Sequence, residues 1–387
     1  MKKGKSAQAN SQDMRKVLPT PIYLTPPHID EEEELMMQEV LRSNWIAPSG
    51  PHLELFEDML SLYHQGKRVL LLNSGTAAIH VALKLLNVKR DDYVLCSDFT
   101  FSATANPIVY EGAVPVFVDA EKDSWGMCPE QLENAILALD KKPVAVIIVH
   151  AYGMPARMTE LKSVAEKYEI PVIEDAAECL GSHLDNAPCG TLGDFGVLSF
   201  NGNKIVTTGG GGALIFNDKS YYDRAYALVS QGHTSGDYNY SMLGYNYRMS
   251  NVAAGLGIAQ FRKLEQKVQR KREVFEIYKE AFKESESIKV RLDDEKSCSN
   301  RWLTNISLQM RPDQVRKVIG GLSKAMIEAR PVWKPLHSQS IYPKSLYKGG
   351  DVGLGLHEQG ISLPSGTSLT KQDQQRVIST LLHLVES

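Results

Sequence analysis

The sequence predicts an α/β fold with a large, mostly parallel sheet and a smaller C-terminal α+β domain. Between Arg68 and Phe216, seven short runs rich in β-branched and other apolar residues recur along the chain. The first five runs are separated by longer segments whose apolar residues have helical spacing. This alternation is typical of strands that lie parallel in one sheet with helices packed on its faces.

The seven candidate strands are, in chain order, RVLLLN, YVLCSDF, VPVFVDA, PVAVIIVHAYG, PVIEDAA, GVLSF and GGALIF. Between them, Thr76 to Asn87 and Glu130 to Leu139 have the spacing of helices that pack on a sheet. Open sheets of this kind carry their ligands at the carboxyl ends of the strands. The residues that directly follow these runs are therefore the first candidates for a functional site.

Three regions are predicted along the chain. Residues 1–20 are polar and basic without periodicity, which predicts a flexible extension outside the fold. Residues 21–260 form the predicted large domain and residues 261–387 the small one. Helical spacing from Asn251 to about Glu286 predicts one long, partly exposed helix that links them. The strand-like RWLTNISLQM, the helical RPDQVRKVIGGLSKAMIEA and a final helix near Thr370 to Val385 complete the small domain.

Composition excludes several classes of function. The chain has 387 residues, is 43% hydrophobic and carries a formal charge of −3, with no basic block dense enough for nucleic acid. Its five cysteines are scattered without metal-ligand spacing, so neither disulfides nor a metal site are expected. No apolar stretch is long enough to span a bilayer, and the N-terminus lacks a secretory signal. We therefore expect a cytoplasmic protein.

The motif NSGTAA, residues 73–78, is a candidate anion site. It lies where the first strand gives way to a helix, so free backbone N–H groups and the helix dipole would face a phosphate. An ordinary alternative is that Ser74 or Thr76 only caps the helix. The motif by itself does not distinguish the two.

Asp175 and Lys204 follow later strands of the same predicted sheet. Asp175 ends a strongly apolar run, where a carboxylate needs a cation or a hydrogen-bond donor unless it only forms a turn. Lys204 lies between GVLSF and ALIF, where loss of water would favour the neutral amine that forms Schiff bases. An isolated lysine is otherwise a surface residue. Gly209 to Gly212 lack the order of a nucleotide-binding loop and predict a tight turn.

Together these features match the requirements of pyridoxal 5'-phosphate. That cofactor needs an anion site, an acid opposite its pyridine nitrogen and a lysine for its aldehyde. Asp175 would keep the ring nitrogen protonated, and Lys204 would carry the proton between the substrate carbon and the cofactor. Phe101 follows the second strand and could stack on the ring, although a lone Phe is as readily a core residue.

An ordered series of motifs resembles the DegT/DnrJ/EryC1/StrS sugar aminotransferases. The motifs are NSGTAAIH, DFTFSATAN, HAYG, EDAAECLGS, GDFGVLSFNGNK, TTGGGGAL, GYNYRMSNVAAGLG and RPVWKPLH, and the likeness runs from about residue 22 to the C-terminus. It implies the fold type I architecture of the aspartate aminotransferase superfamily and a homodimer with sites at the subunit boundary. It also implies L-glutamate as amino donor, with pyridoxamine phosphate as the intermediate form of the cofactor and ping-pong kinetics.

The resemblance also implies roles for individual residues. Gly75, Thr76 and Ser199 match phosphate-binding positions, and Phe101 matches the residue that stacks on the ring. Asp175 and Lys204 match the pyridine-nitrogen acid and the Schiff-base lysine. Glu178 lies where many members carry Gln or His, and Asn246 matches an asparagine that reaches the phosphate of the neighbouring subunit.

Within the family the likeness is strongest to members that act in bacillosamine formation for protein glycosylation. They aminate C4 of UDP-2-acetamido-2,6-dideoxy-α-D-xylo-hex-4-ulose. By this likeness two segments would line the sugar-nucleotide site: Asn44, Trp45, Ile46 and Ala47, and Arg330, Pro331, Val332 and Trp333. Arg330 could bind a phosphate oxygen of UDP, and Trp333 could form an apolar wall. An Arg-Pro pair in a surface turn is the ordinary alternative.

Other functions remain open at this point. A sugar 3-aminotransferase, or a 4-aminotransferase for another UDP- or dTDP-keto sugar, would need the same cofactor residues. A non-catalytic regulatory or binding protein of the same fold would not need Asp175 together with Lys204. The dehydrating branch of the family has histidine in place of the lysine. A nicotinamide-dependent oxidoreductase is disfavoured because no G-x-G-x-x-G follows the first strand.

Overall fold

The computed structural model describes residues 20–233, 239–240 and 242–386. Apart from Thr20, the predicted N-terminal extension lies outside the described residues. The strands of the described residues are β1 Arg68–Leu72, β2 Tyr93–Ser97, β3 Val114–Val118, β4 Ala145–Val149, β5 Val172–Asp175, β6 His183–Leu184, β7 Ala187–Pro188, β8 Phe195–Ser199, β9 Gly212–Phe216, β10 Ile288–Val290, β11 Ser297–Cys298, β12 Thr304–Leu308, β13 Arg330–Pro331, β14 Leu346–Lys348 and β15 Gly360–Leu363.

Helices alternate with the strands of the first half and dominate the C-terminal third. In chain order the α-helices of the described residues are α1 Glu31–Ser43, α2 Pro51–Tyr63, α3 Gly75–Leu85, α4 Asn106–Tyr110, α5 Pro129–Ala138, α6 Met158–Lys167, α7 Tyr222–Val229, α8 Asn251–Arg262, α9 Leu264–Phe282, α10 Pro312–Lys324, α11 Val352–Gln359 and α12 Lys371–Glu386.

A large mixed sheet forms the centre of the molecule. Across the described residues its strand order is β1-β9-β8-β5-β4-β2-β3-β14. Neighbours from β8 to β14 run parallel, whereas β9 is antiparallel to both β1 and β8. The seven predicted strands and the mostly parallel arrangement are confirmed. The eighth strand, β14, was not predicted and comes from the C-terminal part of the chain.

Apolar side chains on both faces of this sheet are buried. Leu70 and Leu72 of β1 lie in a core cluster with α3 residues such as Val81, while Val69 and Leu71 lie in a second cluster with Phe56 of α2. This alternation follows from the two-residue period of a strand. Because helices cover both faces, the ends of the strands are where polar side chains can meet a ligand.

A four-stranded antiparallel sheet of order β10-β12-β15-β13 carries the C-terminal part. Its core includes Ile306 and Ile361 packed with Val315 of α10 and Val377 of α12. The predicted single helix from Asn251 to about Glu286 is wrong in one respect, because it divides at Lys263 into α8 and α9. Gly257 brings α8 against Phe56, so α8 is largely buried rather than a linker.

Parallel strands bring distant sequence motifs to one edge of the sheet. Strands β2, β4, β5 and β8 end at this edge, and the segments that follow carry Phe101, Tyr152, Glu178 and Lys204. The start of α3, after β1, lies at the same edge. The predicted site residues therefore converge although more than a hundred positions of sequence separate some of them.

Candidate active site

A cavity of about 590 Å³ opens at the carboxyl edge of the large sheet. Residues from both halves of the chain line it, and ten of them are cofactor-site or substrate-site residues predicted from the sequence: Gly75, Thr76, Phe101, Asp175, Glu178, Ser199, Lys204, Arg330, Pro331 and Trp333. Such a volume suits a cofactor or a small-molecule substrate.

One end of the cavity is built from the start of α3 and the end of β8. Ser74 caps α3 by accepting a hydrogen bond at its Oγ from the N–H of Ala77, at 3.0 Å. A Cβ at Gly75 would lie 3.2 Å from the Cβ of Ser199, so glycine lets the helix start close to β8. The capping role and the anion role are therefore compatible. Free N–H groups of the first turn, with Thr76 and Ser199, could hold a phosphate.

Asp175 lies at the end of β5 and is 5% exposed. Its carboxylate accepts one hydrogen bond from the Thr104 hydroxyl, at 2.8 Å, and one from the N–H of Ala177, at 3.2 Å. Burial raises the pKa of Asp175 above its ordinary value. Within the described residues it forms no ion pair. A protonated ring nitrogen at this place would supply the missing positive charge.

Lys204 meets Glu178 on the cavity wall. Its Nζ lies 2.9 Å from Glu178 Oε1, and the two side chains are 13% and 7% exposed. The ammonium also lies 4.3 Å from the centre of a Trp302 ring, at a distance suited to a cation–π contact. Two interactions thus hold the amine at the edge of the cavity, where an aldehyde could reach it.

Glu178 connects Lys204 to the backbone of the neighbouring loop. Its Oε2 accepts a hydrogen bond of 2.8 Å from the N–H of Tyr152. Burial raises the pKa of Glu178, and the charge and hydrogen bond of Lys204 act in the opposite direction. In this chain the carboxylate therefore has a defined partner on each oxygen.

An aromatic wall faces these acids. Tyr152 stacks on Trp333 with ring centres 4.0 Å apart and planes at 20°, and its hydroxyl accepts a 2.7 Å hydrogen bond from the N–H of Trp333. Trp302 lies on the other side of Tyr152, at 6.2 Å. Phe101 also lines the cavity and is 60% exposed, so it is available to stack on a bound ring rather than being a core residue.

Sequence reasoning missed Thr104, Tyr152 and Trp302. Thr104 and Tyr152 lie in motifs that were recognised, DFTFSATAN and HAYG, but no chemistry was assigned to them. Tyr152 has a left-handed backbone, φ 58°, which turns its ring towards the cavity. Trp302 lies within the strand-like run RWLTNISLQM, and nothing local distinguishes it from a core tryptophan.

Several predicted residues lie elsewhere in the single chain. Val332 is 1% exposed and belongs to an apolar cluster with Phe99 and Trp125, so its placement among the cavity residues is corrected. The physical reason is that its apolar side chain is buried in this cluster and does not face the cavity. The cavity lining in this chain does not include the segment Asn44, Trp45, Ile46 and Ala47 or the exposed Asn246. Backbone atoms hold these residues: Ala47 O accepts from Asn251 N, and Asn246 O accepts from Asn73 Nδ2.

A buried group of His150, Glu174 and Cys189 has ligand atoms close enough to hold a metal. Protein donors already engage it, since His150 Nε2 lies 2.7 Å from Glu174 and His150 Nδ1 accepts from the N–H of Ala156. Glu174 also accepts from the N–H groups of Leu192 and Gly193. These hydrogen bonds are sufficient to explain the group as a structural network next to the end of β5.

The cavity residues fit pyridoxal phosphate. The cofactor needs three contacts, and the cavity offers a group for each: a helix start with little room for a side chain at Gly75, a buried acid without a cation and an amine on the wall. When bound, it supplies an electron sink for a carbanion. Asp175 would hold a proton on the ring nitrogen, and Lys204 Nζ would bind the aldehyde and move protons at the reacting carbon.

Comparisons with known proteins support this assignment. The model of the DegT/DnrJ/EryC1/StrS aminotransferase family matches residues 27–382. A Bacillus subtilis protein named as a pyridoxal phosphate-dependent aminotransferase, EpsN, is 45% identical over 94% of this chain and 95% of its own. GDP-perosamine synthase of Escherichia coli O157:H7 is 33% identical over 91% and 94%. The UDP-4-amino-4,6-dideoxy-N-acetyl-beta-L-altrosamine transaminase of Campylobacter jejuni is 29% identical over 93% and 96%.

Solved structures agree with the predicted fold. Spr1654 of Streptococcus pneumoniae, named as a sugar aminotransferase, superposes in its PMP form with a TM-score of 0.89 at 27% identity, over 95% of this chain and 98% of its own. Its PLP form gives 0.88. The pyridoxal-phosphate-dependent transferase fold and the cofactor are thus confirmed. The chain belongs to the DegT/DnrJ/EryC1/StrS aminotransferase family and is a pyridoxal-phosphate-dependent sugar aminotransferase.

Proposed function

We propose that the enzyme transfers the amino group of L-glutamate to C4 of UDP-2-acetamido-2,6-dideoxy-α-D-xylo-hex-4-ulose. The products would be the UDP-4-amino-4,6-dideoxy-N-acetyl-D-glucosamine and 2-oxoglutarate. The observation that carries the proposal is that Arg330 and Trp333 line the same cavity as Lys204. A keto sugar between them would meet the amine while its diphosphate lies near the guanidinium.

Arg330 is free to exchange its partner. Its guanidinium pairs with Glu328, with Nε 2.9 Å from Oε1, and the Arg330 side chain is 67% exposed. Exposed ion pairs contribute about 1 kcal/mol or less, so a diphosphate could replace Glu328 at small cost. A charge-assisted, bidentate contact to phosphate is the stronger of the two interactions.

Trp333 and Tyr152 would form the wall behind the sugar. Their stacked rings present an apolar face next to Lys204. An acetamido methyl and a 6-deoxy methyl are apolar groups that such a wall accommodates. Lys204 Nζ would then deliver and remove protons at the sugar carbon that receives the amine.

The working unit in this proposal is a homodimer. Asn246 and the segment Asn44–Ala47 would reach the cavity of the partner subunit, since both are exposed in this chain. Trp45 and Ile46 are 51% and 55% exposed, which is unusual for large apolar side chains without a covering partner.

Location in the cytoplasm is part of the same proposal. It is supported by five free cysteines. In the described residues, no helix is both long and apolar enough to cross a membrane.

The substrate is tested by comparing three keto sugars with the cofactor-loaded enzyme and L-glutamate. The set comprises the UDP-4-keto sugar named above, a GDP-linked 4-keto-6-deoxyhexose and a dTDP-linked 4-keto-6-deoxyhexose. Mass spectrometry detects the amino product, and NMR fixes the carbon that carries nitrogen. We expect the highest kcat/KM for the UDP sugar and amination at C4. A higher value for another nucleotide, or nitrogen at C3, would refute the assignment.

A GDP-linked sugar is the second candidate, because three of the relatives are named as GDP-perosamine synthases. Arg330→Ala helps to distinguish a nucleotide-binding role from a structural one. We expect it to raise KM for the preferred keto sugar while leaving KM for L-glutamate within about twofold. Equal changes in both would place Arg330 outside the nucleotide site.

A further inference from the structure

A second cavity, of about 620 Å³, lies apart from the first one and shares none of its lining residues. Four segments surround it: residues 122–125 after β3, Met154 and Arg157 after β4, residues 289–294 of β10 and the following loop, and Ser307 of β12. Loops that follow two strands of the large sheet, and strands β10 and β12 of the C-terminal sheet, form its walls. No step of the transamination uses these residues.

Arg291 is the unusual lining group. It is 8% exposed, and among the described residues no carboxylate lies within ion-pair distance of its guanidinium. Nη1 donates to Ala151 O at 3.0 Å and Nη2 donates to Ser124 O, while Nε is buried without an acceptor in the described part of the chain. The guanidinium also lies 4.7 Å from the centre of the Trp125 ring.

A buried guanidinium without a counter-ion is costly, because neutral carbonyls and a ring replace only part of its hydration. Burial and the neighbouring Arg301 lower the pKa of Arg291 to about 9. The carboxylate of Asp293, on the same wall, is 3.1 Å from Arg301 rather than paired with Arg291. An anion in the cavity would therefore meet a positive charge that no acid of the described chain neutralises directly.

Further cations line the same cavity. Lys122 and Lys289 are exposed and form no ion pairs among the described side chains, and Arg157 pairs with Glu160 on the protein surface. Of the acidic lining residues, Asp294 accepts from the N–H groups of Lys296 and Ser297. Asp123 is exposed to solvent. Arg291, Lys122 and Lys289 thus have no acidic partner among the described residues.

We propose that this second cavity binds a small anionic ligand, a phosphate or a carboxylate, through Arg291, Lys289 and Lys122. Guanidinium and ammonium groups bind both kinds of anion by charge-assisted hydrogen bonds. The cavity is larger than an inorganic ion needs, so it has room for a metabolite that carries such a group.

The site touches the segment that holds the active-site acid. Arg291 donates to Ala151 O, and the next residue, Tyr152, donates its N–H to Glu178. Trp125, below the guanidinium, makes an edge contact with the Tyr152 ring at 6.4 Å. A ligand on Arg291 would therefore lie two hydrogen-bonded links from the acid that pairs with Lys204.

The test is isothermal titration of the cofactor-loaded enzyme with inorganic phosphate and, separately, with succinate, at constant ionic strength set by NaCl. Loading with pyridoxal phosphate fills the phosphate site at α3, so that site cannot produce the signal. We expect saturable binding of at least one of the two anions. Saturation by phosphate alone or by succinate alone identifies which group the ligand carries, and titration by neither overturns the proposal.

Variants locate the binding. Lys289→Glu should weaken binding about tenfold or more, because it replaces an attractive charge with a repulsive one. Lys317→Glu, the same charge change on the exposed face of α10 away from the cavity, should bind like the wild type. Arg291→Met should abolish binding, but Lys289→Glu decides the question if that variant does not fold. Equal affinity in Lys289→Glu and wild type, or loss of binding in Arg330→Ala, would contradict the proposal.

Discussion

Two buried acids three positions apart, Asp175 and Glu178, have different partners. Asp175 accepts only neutral hydrogen bonds in the described chain, whereas Glu178 is paired with the Lys204 ammonium. A positive ring nitrogen can therefore be recognised by Asp175 without competition from the lysine. The division of roles at the site rests on this difference.

Asp175→Asn should separate stability from activity. Because burial raises the pKa of Asp175, the folded cofactor-free protein holds this proton more strongly than the unfolded chain does. The stability of the wild type, relative to the Asn variant, should thus fall as pH rises through the range just above an ordinary carboxyl pKa. Thermal unfolding of both cofactor-free proteins across pH 4 to 7, an interval of about three units, measures this difference. If the stability of the wild type rose with pH relative to that of the Asn variant, the folded protein would instead stabilise the carboxylate.

The same variant should lose about 10²-fold or more in kcat, because an amide cannot keep the ring nitrogen protonated. Steady-state kinetics with L-glutamate as donor measure the loss. Near-normal turnover would mean that another group carries this role.

Glu178→Gln should be tolerated and Glu178→Leu should not. The amide can still accept the N–H of Tyr152, whereas leucine leaves that buried donor unpaired. We expect kcat of the Gln variant within about tenfold of wild type, and a loss of about 1–3 kcal/mol in unfolding free energy for the Leu variant. Kinetics and chemical denaturation measure the two effects. Inactivity of the Gln variant would show that the negative charge itself is required.

At the scale of residues, the sequence was most informative where a polar group follows an apolar strand. Asp175 and Lys204 were singled out because a charged group at such a place needs a partner or a functional role. Trp302 could not be identified, since its role comes from a loop that packs across the sheet. Val332 was misplaced because side-chain direction in an irregular segment depends on packing that the sequence does not show.

At the scale of elements, the site depends on a close approach of β9 to the start of α3. A Cβ at Gly212 would lie 2.4 Å from the backbone N of Gly75 and 2.4 Å from the carbonyl carbon of Ser74. Backbone atoms cannot move aside as a flexible side chain can. Glycine at position 212 therefore sets the position of the helix start that is proposed to hold the phosphate.

Gly212→Ala should displace this helix start. We expect pyridoxal phosphate affinity to fall about tenfold or more and stability to fall by about 1–3 kcal/mol. Gly320→Ala is the matched control, because a Cβ there meets nothing within 4 Å and lies inside α10. It should keep wild-type affinity and gain up to about 1 kcal/mol of stability. Fluorescence titration with the cofactor measures the affinity of both variants. Unchanged affinity in Gly212→Ala would contradict the packing argument.

Two features of the elements were beyond the sequence. Strand β14 has only three residues, and its exposed Leu346 and Lys348 flank a half-buried Tyr347, so nothing marks it as part of the large sheet. It pairs with β3, which lies more than two hundred residues earlier in the chain, and such a long-range contact leaves no local signal in the sequence. The break at Lys263 was hidden because helical spacing continues almost unchanged across it.

At the scale of the whole molecule, the proposed dimer makes each site depend on two chains. Lys204→Ala and Asn246→Ala variants would each be impaired alone, but a mixed dimer would contain one site with both native residues. Random reassembly of an equal mixture should restore about a quarter of the wild-type sites. Activity after unfolding and refolding the mixture tests this. If the mixture regained no activity, Asn246 would act in the site of its own chain or would lie outside the site.

The most direct test of the account is the absorbance spectrum of the cofactor-loaded protein before and after addition of L-glutamate, recorded for wild type and for Lys204→Ala. For the wild type, we expect a band near ~420 nm that is replaced by one near ~330 nm when glutamate is added. Lys204→Ala should fold and bind the cofactor but convert it about 10³-fold more slowly or not at all. Conversion at the wild-type rate without Lys204, or a wild-type spectrum unaffected by glutamate, would contradict the assignment of Lys204 as the residue that holds the cofactor and moves the proton.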